Sequence, residues 1–354
     1  MPRKIVALLW LTLAREFVLL RGQNISSLLP SSYIPSSTTE PPVYECPARE
    51  EIKPCVCHLI GKNQMEMDCS EVQDGDELRR VFSQEFLFSD FARLVMTGSN
   101  LTVLREGDLG VSSFTEIYIM NSNLVEIEDL ALLGSADTLE YLDMYNNRLQ
   151  GIPDISAFSR LSGVNLCRNF FTTFPTMNSA TVRIIDFIGN PLISLPSDAF
   201  QGLPEIEYVF LDYCSLTGII PGTFANNKKL FYLSLDGNSL NSLPLDAIQL
   251  SGLASYLFLQ NNQLGHLASG SISGVTGSIY MKGNSLTELN EDVFRPMLEN
   301  NANVHLEDNP FGCGCDIAWL ILNQTLLDRL ADSPSCSDGT PFIDLDPAYY
   351  EAMC

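Results

Sequence analysis

Apolar positions recur along residues 92–311 in one phrase, of which Leu230-Phe231-Tyr232-Leu233-Ser234-Leu235-Asp236-Gly237-Asn238-Ser239-Leu240 is the clearest copy. Leucine-type residues fall at the first, fourth, sixth and last places, and asparagine at the ninth. Aligned on the asparagine place, the copies meet Ser99, Ser122, Asn147, Asn169, Asn190, Cys214, Asn238, Asn262, Asn284 and Asn309, with steps of 21 to 25 residues. A second apolar register, Phe200, Phe224, Ile248, Ile272 and Phe294, advances at nearly the same step. The alternation inside each phrase predicts a short strand with leucines inward and the intervening residues outward. One such turn cannot bury its leucines; only stacking of successive turns closes a core. Nine strand steps of about 4.8 Å predict a parallel sheet about 43 Å long.

Written as a pattern the phrase is L-x-x-L-x-L-x-x-N-x-L, the signature of leucine-rich repeats. The expected fold is a curved, horseshoe-shaped leucine-rich-repeat solenoid. It carries a parallel β-sheet on the concave face, an irregular or short-helical convex side and disulfide-bonded caps at both ends. The asparagine is expected to be buried, satisfying backbone groups that each bend leaves unpaired. Ser99 and Ser122 replace it in the first turns, where irregular capping turns belong, and Cys214 replaces it once more.

The polarity pattern changes outside the repeats. Residues 1–22 read as a secretory signal, with Arg3 and Lys4 followed by an apolar run from Ile5 to Ala14. That run is too short to span a bilayer, no later stretch is longer, and the mature protein is expected to be secreted and soluble. Residues 23–45 are rich in Ser, Thr and Pro and read as a linker that cannot bury enough apolar area to order itself. Residues 46–91 and 312–354 are cysteine-rich caps. Eight of the ten cysteines form two clusters, Cys46, Cys55, Cys57 and Cys69 before the repeats and Cys313, Cys315, Cys336 and Cys354 after them. Each cluster allows three disulfide connectivities or, as a rival, a zinc site; the signal and the C-x-C spacing favour disulfides. Cys167 and Cys214, two repeats and roughly 10 Å apart, are too distant to bond.

Both clusters resemble the flanking caps of extracellular leucine-rich-repeat proteins. Asn309-Pro310-Phe311-Gly312-Cys313-Gly314-Cys315-Asp316-Ile317-Ala318-Trp319-Leu320 is similar to their C-terminal cap almost letter for letter. The resemblance implies the pairs Cys46–Cys57, Cys55–Cys69, Cys313–Cys336 and Cys315–Cys354. It also implies a helix from Asp316, as N-cap, to about Leu330. Cys46-Pro47-Ala48, Pro54-Cys55-Val56-Cys57, Cys336-Ser337-Asp338-Gly339-Thr340 and Leu345-Asp346-Pro347 narrow the likeness. It is to secreted arthropod proteins that resemble the non-catalytic subunit of the Oplophorus-luciferin 2-monooxygenase complex. That resemblance implies a secreted accessory or binding protein.

The outward strand positions carry the candidate chemistry. Tyr141, Tyr208, Tyr232 and Tyr256 precede the first strand leucine. Phe210, Phe258 and Tyr280 stand between the strand leucines together with Asp143, and Tyr145, Asp212 and Asp236 follow them. Tyrosine joins a large apolar body to a polar tip and suits interfaces. Ladder packing, in which aromatics simply stabilise the sheet, is the competing explanation. These eleven residues are nominated as a ligand-binding concave face. With 43 acidic and 20 basic side chains the formal charge is −23, which opposes nucleic acid and anionic surfaces and suits an extracellular protein or peptide partner, a cationic one above all. Sequons at Asn24, Asn100 and Asn323 are candidate glycosylation sites clear of that face. Three histidines in separate turns and no hydrolase, metalloprotease or phosphate-loop motif argue against an enzyme. No metal site and no cofactor are expected, and His305 and Glu307 read as a surface pair flanking Leu306. The expected function is a non-catalytic scaffold holding a protein partner. The alternatives are a structural matrix component and an accessory subunit of a luciferase-like monooxygenase complex.

Overall fold

The computed structural model describes residues 45–250 and 255–354. The leader, Asn24 and all but the last residue of the linker lie outside them. Within them one sheet of 13 strands runs the length of the chain. Its opening pair, β1 (Val56–Gly61) and β2 (Gln64–Asp68), is antiparallel, and every later neighbour is parallel. The ten repeat strands follow in sequence order. They are β3 (Asp90–Thr97), β4 (Ser113–Met120), β5 (Tyr141–Asp143), β6 (Gly163–Asn165), β7 (Ile184–Asp186), β8 (Tyr208–Phe210), β9 (Tyr232–Ser234), β10 (Tyr256–Phe258), β11 (Ser278–Tyr280) and β12 (Asn303–His305). β13 (Leu330–Ala331), supplied by the C-terminal region, closes the far edge.

The alternation read from the phrase is what sorts inside from outside. The strand leucines and their equivalents, among them Leu142, Val164, Ile185, Val209, Leu233, Leu257, Ile279 and Val304, are buried in a single continuous core. The return arms supply a second buried row, where Phe200 stacks on Phe224 at 5.3 Å and Ile248 pairs with Ile272. Asparagines tie the turns together. Asn238 Nδ2 donates to the carbonyls of Leu235 in its own turn and Leu211 in the turn before, while its Oδ1 accepts from the Cys214 and Leu216 amides. Asn147, Asn169, Asn190, Asn262, Asn284 and Asn309 repeat the arrangement. A single side chain thereby serves backbone groups on two turns, none of which could otherwise be buried cheaply.

The substitutes keep part of this chemistry. Ser122 Oγ donates to the Met120 carbonyl and accepts from the Ser99 amide. The Cys214 thiol lies 3.2 Å from the Phe187 carbonyl. A thiol offers no amide oxygen, and the Leu192 amide that such an oxygen would receive bonds the Asn190 carbonyl instead.

Four disulfides close the ends: Cys46–Cys57, Cys55–Cys69, Cys313–Cys336 and Cys315–Cys354. At the N-terminal end α1 (Arg49–Ile52) and α2 (Gly75–Phe82) cover the first strands. Asp74 caps α2 through the Glu77 amide, and Phe82 packs edge-on against Phe91 and Phe114. α3 (Glu291–Glu299) lies on the return arm between β11 and β12, and after the last repeat come α4 (Ala318–Ile321), α5 (Gln324–Leu327) and α6 (Pro347–Met353). The expected single helix from Asp316 to Leu330 is therefore corrected: it breaks at Leu322, and Asn323 caps a new short helix through the Leu326 amide. Asp316 does not cap; its carboxylate accepts from the Leu289 amide in the last repeats. No helix among the described residues is long and apolar enough to cross a membrane.

Candidate protein-binding face

The register brings one outward residue from each of β4 to β12 into a single row: Tyr118, Asp143, Asn165, Asp186, Phe210, Ser234, Phe258, Tyr280 and His305. A parallel row, one pleat away, holds Tyr141, Gly163, Ile184, Tyr208, Tyr232 and Tyr256. The nominated residues thus lie on one wall, but they do not form one patch.

The C-terminal part is aromatic. Tyr208 and Tyr232 have ring centres 5.9 Å apart, Phe210 and Tyr232 5.0 Å, and Tyr232 and Phe258 5.0 Å. Phe258 stacks on Tyr280 at 4.6 Å with planes 6° apart, and Tyr280 stacks on His305 at 4.1 Å. The small Ser234 stands between Phe210 and Phe258 in the register, and the neighbouring Tyr232 ring fills the gap it leaves. Each of these rings is partly buried and keeps surface in solvent. Tyr256 shares that partial exposure. Phe231, which precedes the strand and was not nominated, meets Tyr208 edge-on at 4.7 Å. Its signal in the sequence is only its adjacency to Tyr232.

The middle of the wall is polar and closed. Asp143, Asn165 and Asp186 stand side by side, and the three are buried. Each accepts through Oδ1 from the backbone amide two residues on, those of Tyr145, Cys167 and Ile188. Burial pushes the Asp143 carboxyl up to about 6, against the lowering effect of its hydrogen bonds. Asp212 accepts from Ser234 Oγ and the Asp236 amide, and Asp236 from the amide and side chain of Gln260. Burial raises both carboxyls, that of Asp236 to about 6. Asp212 and Asp236, nominated as contact groups beside the aromatics, thus also hold neighbouring strands.

Tyr141, Asp143 and Tyr145 belong to a separate group on and just after β5, with β6 and β7 intervening before β8. Tyr141 lies down across β6: a Cβ on Gly163 would come within 2.8 Å of its ring. Its hydroxyl reaches Asp143 Oδ2 at 3.5 Å, and its ring centre is 5.8 Å from that of Tyr118. Arg168 holds its guanidinium 5.8 Å above the Tyr145 ring. Gly163 was legible only as an interruption of the tyrosine column.

The remaining candidates lie outside the aromatic and acidic groups just described. Cys167 and Cys214 are unbonded and buried, and burial raises both thiols, Cys214 to about 12. Asn100 is exposed, with its amide on Gln73. Asn323 uses Oδ1 for its cap, which leaves Nδ2, the atom a glycan would take, outside that bond. His305 and Glu307 are more than a pair: Asp332 joins them, and donor atoms from all three lie within 4.8 Å of one another.

Comparison with known proteins agrees with this geometry. The leucine rich repeat family matches residues 180–240 and 207–264, and a second leucine-rich-repeat pattern matches 138–161. The Oplophorus-luciferin 2-monooxygenase non-catalytic subunit of Oplophorus gracilirostris is 38% identical over 316 residues, spanning 87% of this chain and 88% of that protein. The chain belongs to that leucine-rich-repeat family. Lumican of Coturnix japonica is 26% identical over 233 residues, 62% of this chain and 65% of its own. Among solved structures, a chain of the octameric complex of Latrophilin 3, Unc5D and FLRT2 superposes with a TM-score of 0.59 at 21% identity, covering 79% of this chain and 88% of that one. This last likeness concerns the fold.

Proposed function

We propose that this chain is a secreted, non-catalytic scaffold that holds a protein or peptide partner on the aromatic part of its concave wall. The observation that carries the reading is the row of rings from Phe210 through Tyr232, Phe258 and Tyr280 to His305, continuous over five strands and still partly open to solvent. Rigid aromatic surface binds with little loss of side-chain freedom, and a sheet fixed by asparagines and two disulfide-bonded ends presents it preorganised. Four disulfides suit an oxidising, extracellular setting. The net charge of −23 favours a cationic partner and disfavours nucleic acid. Glycans at Asn100 and Asn323 would leave the aromatic wall clear.

The test is a pull-down from extracellular fluid with the wild-type chain and a variant carrying serine at Tyr208, Phe210, Tyr232 and Phe258. Circular dichroism confirms that the variant folds. Loss of the captured protein supports the reading, and equal capture by both chains removes it.

A second reading, an accessory subunit beside a separate catalytic chain, is favoured by the name of the 38% identical relative. Its test is co-purification of an oxygen-consuming chain, with none of that activity in this chain alone. Self-association of the purified protein without a partner would point to a structural matrix role instead.

A further inference from the structure

The aromatic row ends on a cluster that the binding reading does not use. β12 and the residues just after it place His305 and Glu307 two positions apart, so their side chains leave the same side of the backbone. β13 runs parallel to β12, with His305 opposite Ala331, and Asp332 follows directly. Asp332 takes a left-handed backbone conformation, φ +59°, and its carboxylate lies 2.7 Å from His305 Nδ1. One potential ligand atom from each of the three residues falls within 4.8 Å of the others.

The cluster is unfinished as a protein-only arrangement. Glu307 Oε2 is buried and finds no hydrogen-bond partner among the described residues. Carboxylate oxygens of Glu307 and Asp332 lie within 4.8 Å of each other, and neither group is a donor when ionised. Such a pair needs a shared proton or a cation between its oxygens. The nearby cation, Lys282, is engaged with Asp308 at 3.3 Å.

We infer that His305, Glu307 and Asp332 bind a divalent transition-metal ion of the zinc class at the C-terminal end of the concave wall. Imidazole with two carboxylates is a donor set for zinc rather than for calcium or magnesium, which take oxygen alone. Three protein ligands leave one position of a tetrahedron for water. A cleft of about 440 Å³ opens beside Glu307, lined also by Asp308, Ser333 and Ser335. Tyr280, stacked on the imidazole at 4.1 Å, fixes the plane in which the ring must present its nitrogen. Asp332 comes from the cap region and the other two ligands from the last repeat, so the ion would clamp one to the other.

The experiment uses the untagged full chain, stripped with EDTA and dialysed against micromolar Zn²⁺. Uptake of about one ion per chain is expected. His305→Gln and Glu307→Gln should each lower affinity by more than about 100-fold, beyond the tenfold to hundredfold typical of residues that merely support a ligand. Added Co²⁺ should give the visible absorption of a tetrahedral site and quench tyrosine emission through Tyr280, and Zn²⁺ should reverse both. This titration needs only the wild-type chain, so a misfolded variant leaves the proposal testable. Absence of uptake by the wild-type chain, equal uptake by folded variants, or displacement by equimolar Ca²⁺ overturns the site, the first of these favouring a shared proton.

Discussion

Two columns of side chains cross the same strands a few residues apart, and they obey different rules. The asparagine column faces inward, and each member bonds backbone groups on two successive turns. The column from Tyr118 to His305 faces outward, and in its C-terminal half each ring mainly meets other rings. Where asparagine is replaced at Ser122 and Cys214, the substitute still reaches a carbonyl, while Ser99 at the first turn donates to Ser122 instead. The outward column holds aromatic, acidic, amide and hydroxyl residues in turn. Folding constrains the first wall, and the second is left to vary.

The sharpest way to break this contrast is at Asn238. Replacement by alanine strands the Leu211 carbonyl and the Cys214 and Leu216 amides in the core, while Asn262 still bonds the Leu235 carbonyl, and at about 1–3 kcal/mol for each unsatisfied buried group a loss of more than about 3 kcal/mol is expected in urea unfolding. A change below 1 kcal/mol would mean the column is decorative.

Asp143 tests the outward wall from the opposite direction. Its carboxyl is raised from 3.8 to about 6, so the folded state holds a proton that the unfolded chain releases near pH 4. Its contribution is neutral below pH 4, becomes destabilising as pH rises through 6, and amounts to about 3 kcal/mol above that, at 1.36 kcal/mol per pKa unit. Asp143→Asn keeps the Oδ1 acceptor for Tyr145 and removes the charge. Thermal melts should show it more stable than wild type at pH 7.5 and equal at pH 4. Equal stability at both would place an ionised, well-solvated carboxylate there.

Tyr232→Ser removes ring contacts on both flanks and should cost about 1–2 kcal/mol, since such pairs contribute about 0.5–1.5 kcal/mol each beyond their area. Partner capture should fall far more than stability does; a proportionate fall would assign the rings to the fold. The smallest effect is expected at Cys214. Exchange for asparagine restores the usual residue but finds the Leu192 amide already bonded, so stability should move by less than about 1 kcal/mol. With its thiol raised to about 12 and buried, Cys214 should react with thiol reagents only on unfolding.

What could be read beforehand follows the same division. The stacked turns, the inward leucines and the asparagines were legible because each turn repeats one local instruction, and the parallel register carries it to the next. The pairing of cysteines in each cluster rested on the resemblance of the caps, since spacing alone leaves three choices. The aromatic columns could be read off, but not which rings would touch: that depends on Ser234 being small and on Tyr232 leaning into the space. The tying of Asp212 and Asp236 to the next strand was equally hidden, because it joins residues 22 to 24 apart. Asp332 was further from view, arriving just past the expected helix and directly after a short strand that no repeat phrase announces. The helix break at Leu322 came from Asn323, whose preference for capping outweighed the apolar spacing around it.

Trp319 has an optical consequence. Its indole donates to the Leu289 carbonyl at 2.9 Å, and Arg295 lies 5.3 Å over its ring, while Asp316 takes the Leu289 amide. It is the sole tryptophan among the described residues. In a chain without the leader and its Trp10, tryptophan emission watches a single joint, the docking of the terminal cap on the last coil, whereas tyrosine emission is spread along the solenoid. Comparing the two colours during denaturation tells whether the solenoid peels from that end or comes apart all at once.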